Sequence, residues 1–179
     1  MSSQVILWTV GHSTRSADEF LSLLRAHGIE AVVDVRRFPG SRRHPHFARE
    51  QLSAFLQAHD IAYHWMPELG GRRSPRKDSV NTGWRVDAFR GYADYMETPE
   101  AAAAIAVLLA LARVRPTTVM CAEALWWQCH RRLISDCVVA EGHSVVHIQS
   151  ATSAPPHRLM PPAHLRNGKL SYAAEQLDL

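Results

Sequence analysis

Short apolar runs alternate with stretches of helical period along most of the chain. Val5–Val10 reads as a first strand, ending at Gly11-His12-Ser13. A helix follows: Ser16 and Glu19 stand at capping-box spacing, Phe20, Leu23, Leu24 and His27 share one face, and Gly28 stops it. Ala31–Val35 is a second strand, ending at Asp34-Val35-Arg36. The stretch RRFPGSRRHP is too rich in Pro, Gly and Arg for regular structure, and Arg49–His59 is a short helix. Ile61–Met66 is a third strand closed by Pro67-Glu68-Leu69-Gly70-Gly71. Residues 72–85, polar and basic, read as a mobile flap, and Ala88–Met96 is helical. Thr98-Pro99-Glu100 opens a helix to about Arg113, with Thr as cap, Pro at the first position and an acid in the first turn. Thr117–Cys121 is a fourth strand, Gln128–Glu141 a helix stopped by Gly142, and Ser144–Ile148 a fifth strand.

Strands separated by helices pair in parallel, so the expected fold is a single α/β domain. It has a mainly parallel sheet of about five strands with helices on both faces. Residues 1–150 form the body. Residues 151–179 break the alternation and read as a C-terminal tail packing on the same domain, with a strand near Leu170–Tyr172. A chain of 179 residues, 46% hydrophobic, suffices for one core. No apolar run approaches the roughly 18–20 residues of a membrane helix, so no membrane partner is expected. The start, MSSQVILWTV, lacks the basic region of a signal peptide. Three cysteines are too few for a disulfide framework, which points to reduced thiols and a cytoplasmic location.

Charge sharpens the picture. The net charge is +3, but residues 36–90 hold eleven Lys/Arg against five Asp/Glu, while the remainder holds nine against twelve. A basic stretch inside a near-neutral protein implies an anionic partner, a phosphorylated small molecule or a nucleic acid. The alternative is a solvated arginine-rich loop.

Ligands of open parallel sheets bind beyond the carboxyl ends of the strands. Reactive residues gather at those ends: His12 and Ser13 after the first strand, Asp34, Arg36 and Arg37 after the second, Glu68 and Gly70-Gly71-Arg72 after the third, Cys121 and Glu123 after the fourth, His147 in the fifth. The densest group is Cys121-Ala122-Glu123 followed by Cys129-His130-Arg131. Glu123 leaves a buried strand and is either an arginine's ion-pair partner or a general acid or base. Cys129 to Arg131 are expected in the first turn of the next helix, where the helix dipole favours anions and lowers a thiol pKa. Cys129, or Cys121, is there either a nucleophile or a small buried residue. Arg131, Arg36, Arg37, Ser13 and His130 are candidate anion ligands, and Gly70, Gly71, Arg72 and Tyr92 are expected near the site. Trp126-Trp127 either stacks on a base or sugar or covers the sheet.

Several sharper motifs are absent: no G-x-G-x-x-G, no phosphate loop of G-x-x-x-x-G-K-[ST] type, and no nucleophile elbow. Trp127 and Ser135 stand where a phosphatase-type loop would need arginine. Cys121, Cys129, His130 and His12 would have to converge to hold zinc, but Cys-x7-Cys-His lacks the tight spacing of structural sites, so no metal is assigned. The pattern names no cofactor. Taken together, Gly11-His12-Ser13, Asp34-Val35-Arg36, Leu69-Gly70-Gly71, Phe89-x-x-Tyr92-Ala93-x-Tyr95-Met96 and Cys121-Ala122-Glu123…Cys129-His130-Arg131 resemble the DUF488 family, a domain family of unknown function. The likeness runs over about residues 5–148, and the tail His157-x-Leu159…Gly168-Lys169-Leu170-x-Tyr172 is similar to that family's C-terminus. The resemblance implies an intracellular, bacterial-type α/β protein and supplies no reaction.

Two functions follow from these residues. One is an enzyme, a hydrolase or transferase, acting on a phosphorylated or nucleotide-like substrate with Glu123 or His12 moving protons and a cysteine as possible nucleophile. The other is a non-catalytic nucleic-acid-binding module using the basic 36–90 segment, with Trp84 or Trp126-Trp127 stacking on bases. A Cys-x-Glu…Cys-His-Arg cluster in a sheet crevice favours the enzyme.

Overall fold

A computed structural model describes residues 3–174; the ends of the expected body and tail, residues 1–2 and 175–179, lie outside the described residues. Strands β1 (Ile6–Gly11), β2 (Ala31–Asp34), β3 (Ala62–Trp65), β4 (Thr117–Cys121) and β5 (Ser144–His147) form one sheet in the order β3-β2-β4-β1-β5. Every pairing is parallel. The protein is thus the α/β fold that the alternation predicts. The helices are α1 (Ala17–Ala26), α2 (Arg49–Gln57), α3 (Asp87–Met96), α4 (Pro99–Val114) and α5 (Arg131–Ala140). Sequence-based boundaries hold to within one to three residues; the largest difference is α5, which begins at Arg131 rather than Gln128. Trp126–Gln128 instead forms a 3-10 turn. Cys129 and His130 therefore stand just ahead of α5 rather than inside its first turn.

Alternating strand residues feed two cores. Val10, Val32 and Met120 point to one face and pack with Phe20 and Leu24 of α1 and Leu52 and Leu56 of α2. Leu7, Val33, Val119 and Cys121 point to the other, against Tyr92 of α3, Ile105 and Leu108 of α4, and Leu133, Ile134 and Val138 of α5. The central β2 and β4 are buried along their whole length, as strands covered on both faces must be. Ser16 caps α1 as the spacing predicts, accepting from the Glu19 amide while the Glu19 carboxylate accepts from the Ser16 amide.

The chain after β2 crosses to the α1/α2 face, and the chain after β4 crosses to the opposite face. Since β2 and β4 are neighbours, a crevice opens between their carboxyl ends, where such sheets hold ligands. Beyond β5 the chain returns along the sheet edge through Val146↔Pro156, then makes a small antiparallel pair, β6 (His164–Arg166) with β7 (Lys169–Ser171). Tyr172 enters the core beside Trp84. The 72–85 segment is pinned rather than a free flap. Asp94 on α3 accepts from the Arg76 amide, the Ser79 hydroxyl and the Asn81 side-chain amide, and Trp84 is buried. No single described helix is long and apolar enough to cross a membrane.

Candidate functional site: a thiol pair in the sheet crevice

Between the ends of β2 and β4 lies a cavity of about 240 Å³. Arg36, Arg37 and Phe38 reach it from β2, Gly71 and Arg72 from the segment after β3, and Cys121, Glu123, Cys129 and His130 from the β4–α5 connection. The close approach of that connection depends on Gly11: a Cβ there would stand 1.8 Å from the Glu123 carbonyl oxygen. His12 and Ser13 amides donate to the Cys121 and Ala122 carbonyls and hold the β4 end in place. Gly71 lies against His130, where a Cβ would come within 3.0 Å of Nδ1.

The cavity wall carries two thiols whose sulfurs are 3.2 Å apart. Arg131, only 1% exposed, lies behind them. Its Nε donates to Cys129 Sγ at 3.3 Å, Nη1 to Thr9 Oγ1, and Nη2 to the Glu123 and Ala124 carbonyls. No carboxylate pairs with this guanidinium among the described residues. A buried cation without a counter-ion is costly, and the group nearest at hand to supply the charge is the Cys129 thiolate. Donation from the Cys121 thiol and the Arg131 charge together overcome burial and bring the Cys129 pKa down to about 6. Burial and the neighbouring Cys129 push Cys121 far up, so the pair shares one proton, held on Cys121.

A buried chain of hydrogen bonds leads away from Arg131 Nη1. Thr9 Oγ1 meets His147 Nδ1 at 2.7 Å, His147 Nε2 meets His157 Nδ1 at 2.9 Å, and His157 Nε2 meets Asp136 Oδ1 at 2.7 Å. Arginine only donates and a carboxylate only accepts, so Arg131 donates into the chain at Thr9 and Asp136 accepts at its far end from His157. Tyr172 donates to the second Asp136 oxygen. Burial, with His157 and Arg131 nearby, pushes His147 down to about 3, which keeps it neutral. Trp126 stacks on its ring at 4.1 Å. Composition pointed to none of this as a unit. Its members His147, Arg131, His157 and Tyr172 stood out singly in the sequence; among those that did not was Asp136, a carboxylate on the apolar face of α5 between Leu133, Ile134 and Val138.

Eight of the expected site residues share the cavity: Arg36, Arg37, Gly71, Arg72, Cys121, Glu123, Cys129 and His130. Others do not reach it. Arg131 binds the connection behind the thiols instead of facing a ligand. His12 is buried, stacked on Phe47, with Nδ1 donating to the Ser13 carbonyl and Nε2 facing Arg36; burial lowers it to about 4. Ser13 lines a separate depression with Thr14, Arg15 and Glu19. Gly70 packs against Arg37, and the Tyr92 hydroxyl donates to the Leu69 carbonyl, so both shape the loop without lining the cavity. Arg36 is engaged by Asp34 through Nε and Nη2 at 2.8 and 2.6 Å. Arg37 and Arg72 form no ion pair among the described residues, which leaves them as the cavity's uncompensated cations. His130 donates from Nε2 to the Val35 carbonyl, and burial lowers it to about 4, so a neutral ring turns its bare Nδ1 toward Gly71. The Glu123 side chain is exposed, and only its carbonyl joins the network around Arg131. Of the stacking candidates, Trp84 is buried under Arg132 and Trp126 is occupied by His147; only Trp127 is free to meet solvent. Among the described residues no group of three or more His, Cys, Asp or Glu is arranged to hold a metal ion.

Fold and site together define an α/β protein of doubly wound type with a buried pair of thiols beside an arginine at its switch-point crevice. The family model described as "Domain of unknown function DUF488" matches residues 16–138, well over half of the chain, and the chain belongs to that family. The match spans α1 into α5 and includes both thiols, Glu123 and Arg131, but not β1 or the tail that supplies His157 and Tyr172. No curated protein and no solved structure matches the chain.

Proposed function

We propose that the protein is an enzyme acting on a phosphorylated or nucleotide-like substrate, with the Cys129 thiolate as nucleophile. The observation that carries this reading is the Cys129–Arg131 pair opening on a cavity that holds two uncompensated arginines. Arg37 and Arg72 bind the anionic group by charge-assisted hydrogen bonds. Cys129 Sγ attacks it, and the enzyme operates as a hydrolase or transferase through a covalent sulfur intermediate. Glu123, a cavity residue with an exposed side chain, moves protons to the leaving group or from the acceptor. His12 and His130, held neutral, position Arg36 and the β2 end rather than exchange protons. A reducing cytoplasmic setting belongs to this reading, since the nucleophile must stay a thiolate.

The test uses protection. A panel of inorganic phosphate, sugar phosphates and nucleoside phosphates is added to the protein at pH 7, and iodoacetamide alkylation of Cys129 is followed by peptide mass spectrometry. A true ligand slows alkylation in the wild type and loses this effect in Arg37→Ala/Arg72→Ala. If no phosphorylated compound protects, and the chain instead binds an oligonucleotide with a steep log–log salt dependence, the binding-module reading replaces this one.

A further inference from the structure

A nucleophile of this kind needs one thiol, and the crevice holds two. We propose that Cys121 and Cys129 form a peroxide-reducing dithiol, cycling between the free thiols and an intramolecular disulfide, with a small hydroperoxide as oxidant. The two sulfurs touch at 3.2 Å with no group between them. Both border the cavity, so a molecule of peroxide size reaches them from solvent. Forming the bond brings the sulfurs from contact to the roughly 2.05 Å of a disulfide. The seven-residue connection that must give way, 122–128, is exposed along most of its length. Arg131 donates to Cys129 Sγ, an arrangement that holds a thiolate in place before attack and favours charge building on the peroxide oxygen during it. Cys121, which keeps its proton beside that thiolate, is placed as the resolving thiol. The reading stands apart from the phosphate one, because a neutral hydroperoxide needs no arginine clamp.

The chemistry closes in two steps. The Cys129 thiolate attacks the terminal hydroxyl oxygen of ROOH; an S–O bond forms, the O–O bond breaks, and RO⁻ leaves and takes a proton as ROH. Cys129 is then a sulfenic acid. The Cys121 sulfur attacks Cys129 sulfur; the S–S bond forms, the S–O bond breaks, and the hydroxyl leaves with the Cys121 proton as water. The two thiols lose two electrons, and the hydroperoxide is reduced to an alcohol and water. An external dithiol returns the pair to the reduced state by exchange.

The experiment treats the reduced full chain with one equivalent of hydrogen peroxide at pH 7, unfolds and alkylates it with iodoacetamide in urea, and reads intact mass and peptide maps. The expected product has lost two hydrogens, carries a Cys121–Cys129 cross-linked peptide, and keeps Cys137 alkylatable. Cys137 hydrogen-bonds to Glu141, and burial beside that carboxylate raises it to about 12. Weighing thiolate fraction against intrinsic nucleophilicity, Cys129 should oxidise about a hundredfold faster than Cys137. In Cys121→Ser the sulfenic acid persists at Cys129 and is trapped by dimedone. Dithiothreitol restores the wild-type mass. Oxidation of Cys137 at a comparable rate, further oxidation of Cys129 to sulfinic acid while Cys121 stays free, or disulfides formed only between chains would each overturn the proposal. The wild-type map decides even if a variant fails to fold. Loss of phosphate protection in the preceding test leaves this outcome untouched.

Discussion

Cys121→Ala isolates the contact that most strongly acidifies Cys129. The native Cys129 pKa of about 6 lies some three units below the ordinary value of 9.0, about 4 kcal/mol at 1.36 kcal/mol per unit. Two partners supply this against burial: the Cys121 thiol at 3.2 Å and the Arg131 guanidinium at 3.3 Å. A hydrogen bond to a charged group contributes about 1.5–3 kcal/mol, and a thiol is a weak donor, so the lower end applies. Removing it should raise the Cys129 midpoint by about one unit, to about 7, with Arg131 holding the rest. The assay is the rate of iodoacetamide alkylation at Cys129 against pH, resolved by peptide mass spectrometry. At pH 6 the variant should react about fivefold more slowly than the wild type, and at pH 9 the two should agree. A wild-type midpoint near 8.5 would show that no thiolate is stabilised. A midpoint unchanged by Cys121→Ala would show that Arg131 acts alone and that the two sulfurs merely pack.

The same linkage sets stability. The folded Cys129 pKa lies below its unfolded value, so its contribution is present above pH 9 and lost as pH falls through 6. Urea unfolding should show the wild type losing about 2 kcal/mol more than Cys129→Ser between pH 8 and pH 6, and equal slopes would contradict a lowered pKa. Gly11→Ala drives a Cβ into the Glu123 carbonyl, a backbone atom with nowhere to go, and should cost at least about 3 kcal/mol by the same measurement. Asp136→Ala leaves the His147–His157 chain without its acceptor end and should cost about 3–5 kcal/mol, against about 1 for Tyr172→Phe; similar small losses for both would show that Asp136 does not anchor the chain. Asp94→Ala should release the 72–85 segment and speed tryptic cleavage at Arg76 and Lys77 by an order of magnitude or more, whereas unchanged cleavage would mean that Asp94 does not hold it.

What local chemistry dictates was legible along the chain. The capping box of Ser16 and Glu19, the Thr98-Pro99 start of α4 and the glycine stops are short-range devices, and they fall where the spacing puts them. The strand–helix alternation pointed to the parallel α/β class, and nearly all-apolar runs marked the second, fourth and fifth strands as covered on both faces; β2 and β4 are buried throughout, whereas β5, at the sheet edge, is buried only at alternate positions. The crevice was legible too, because strand ends of a parallel sheet share one edge. Charge assignments were not. Arg36 and Arg131 looked like ligand clamps, yet Asp34 takes the first and the 122–125 connection takes the second. Glu123 looked like a buried carboxylate and is exposed, because Gly11 lets its backbone rather than its side chain turn inward. The flap at 72–85 looked free because its anchor, Asp94, lies on a helix later in the chain. Cys121 and Cys129 were separate candidates until the turn at Trp126–Gln128 folded one back on the other. The chain from Arg131 to Asp136 joins β1, β5, α5 and the tail, with directly bonded partners up to 138 positions apart. Propensity and periodicity act over a turn or a strand; ion pairing, burial and proton sharing depend on distance in space. The sequence alone therefore determined the layers and the edge where chemistry collects, and only the tertiary structure decided which cation meets which anion there.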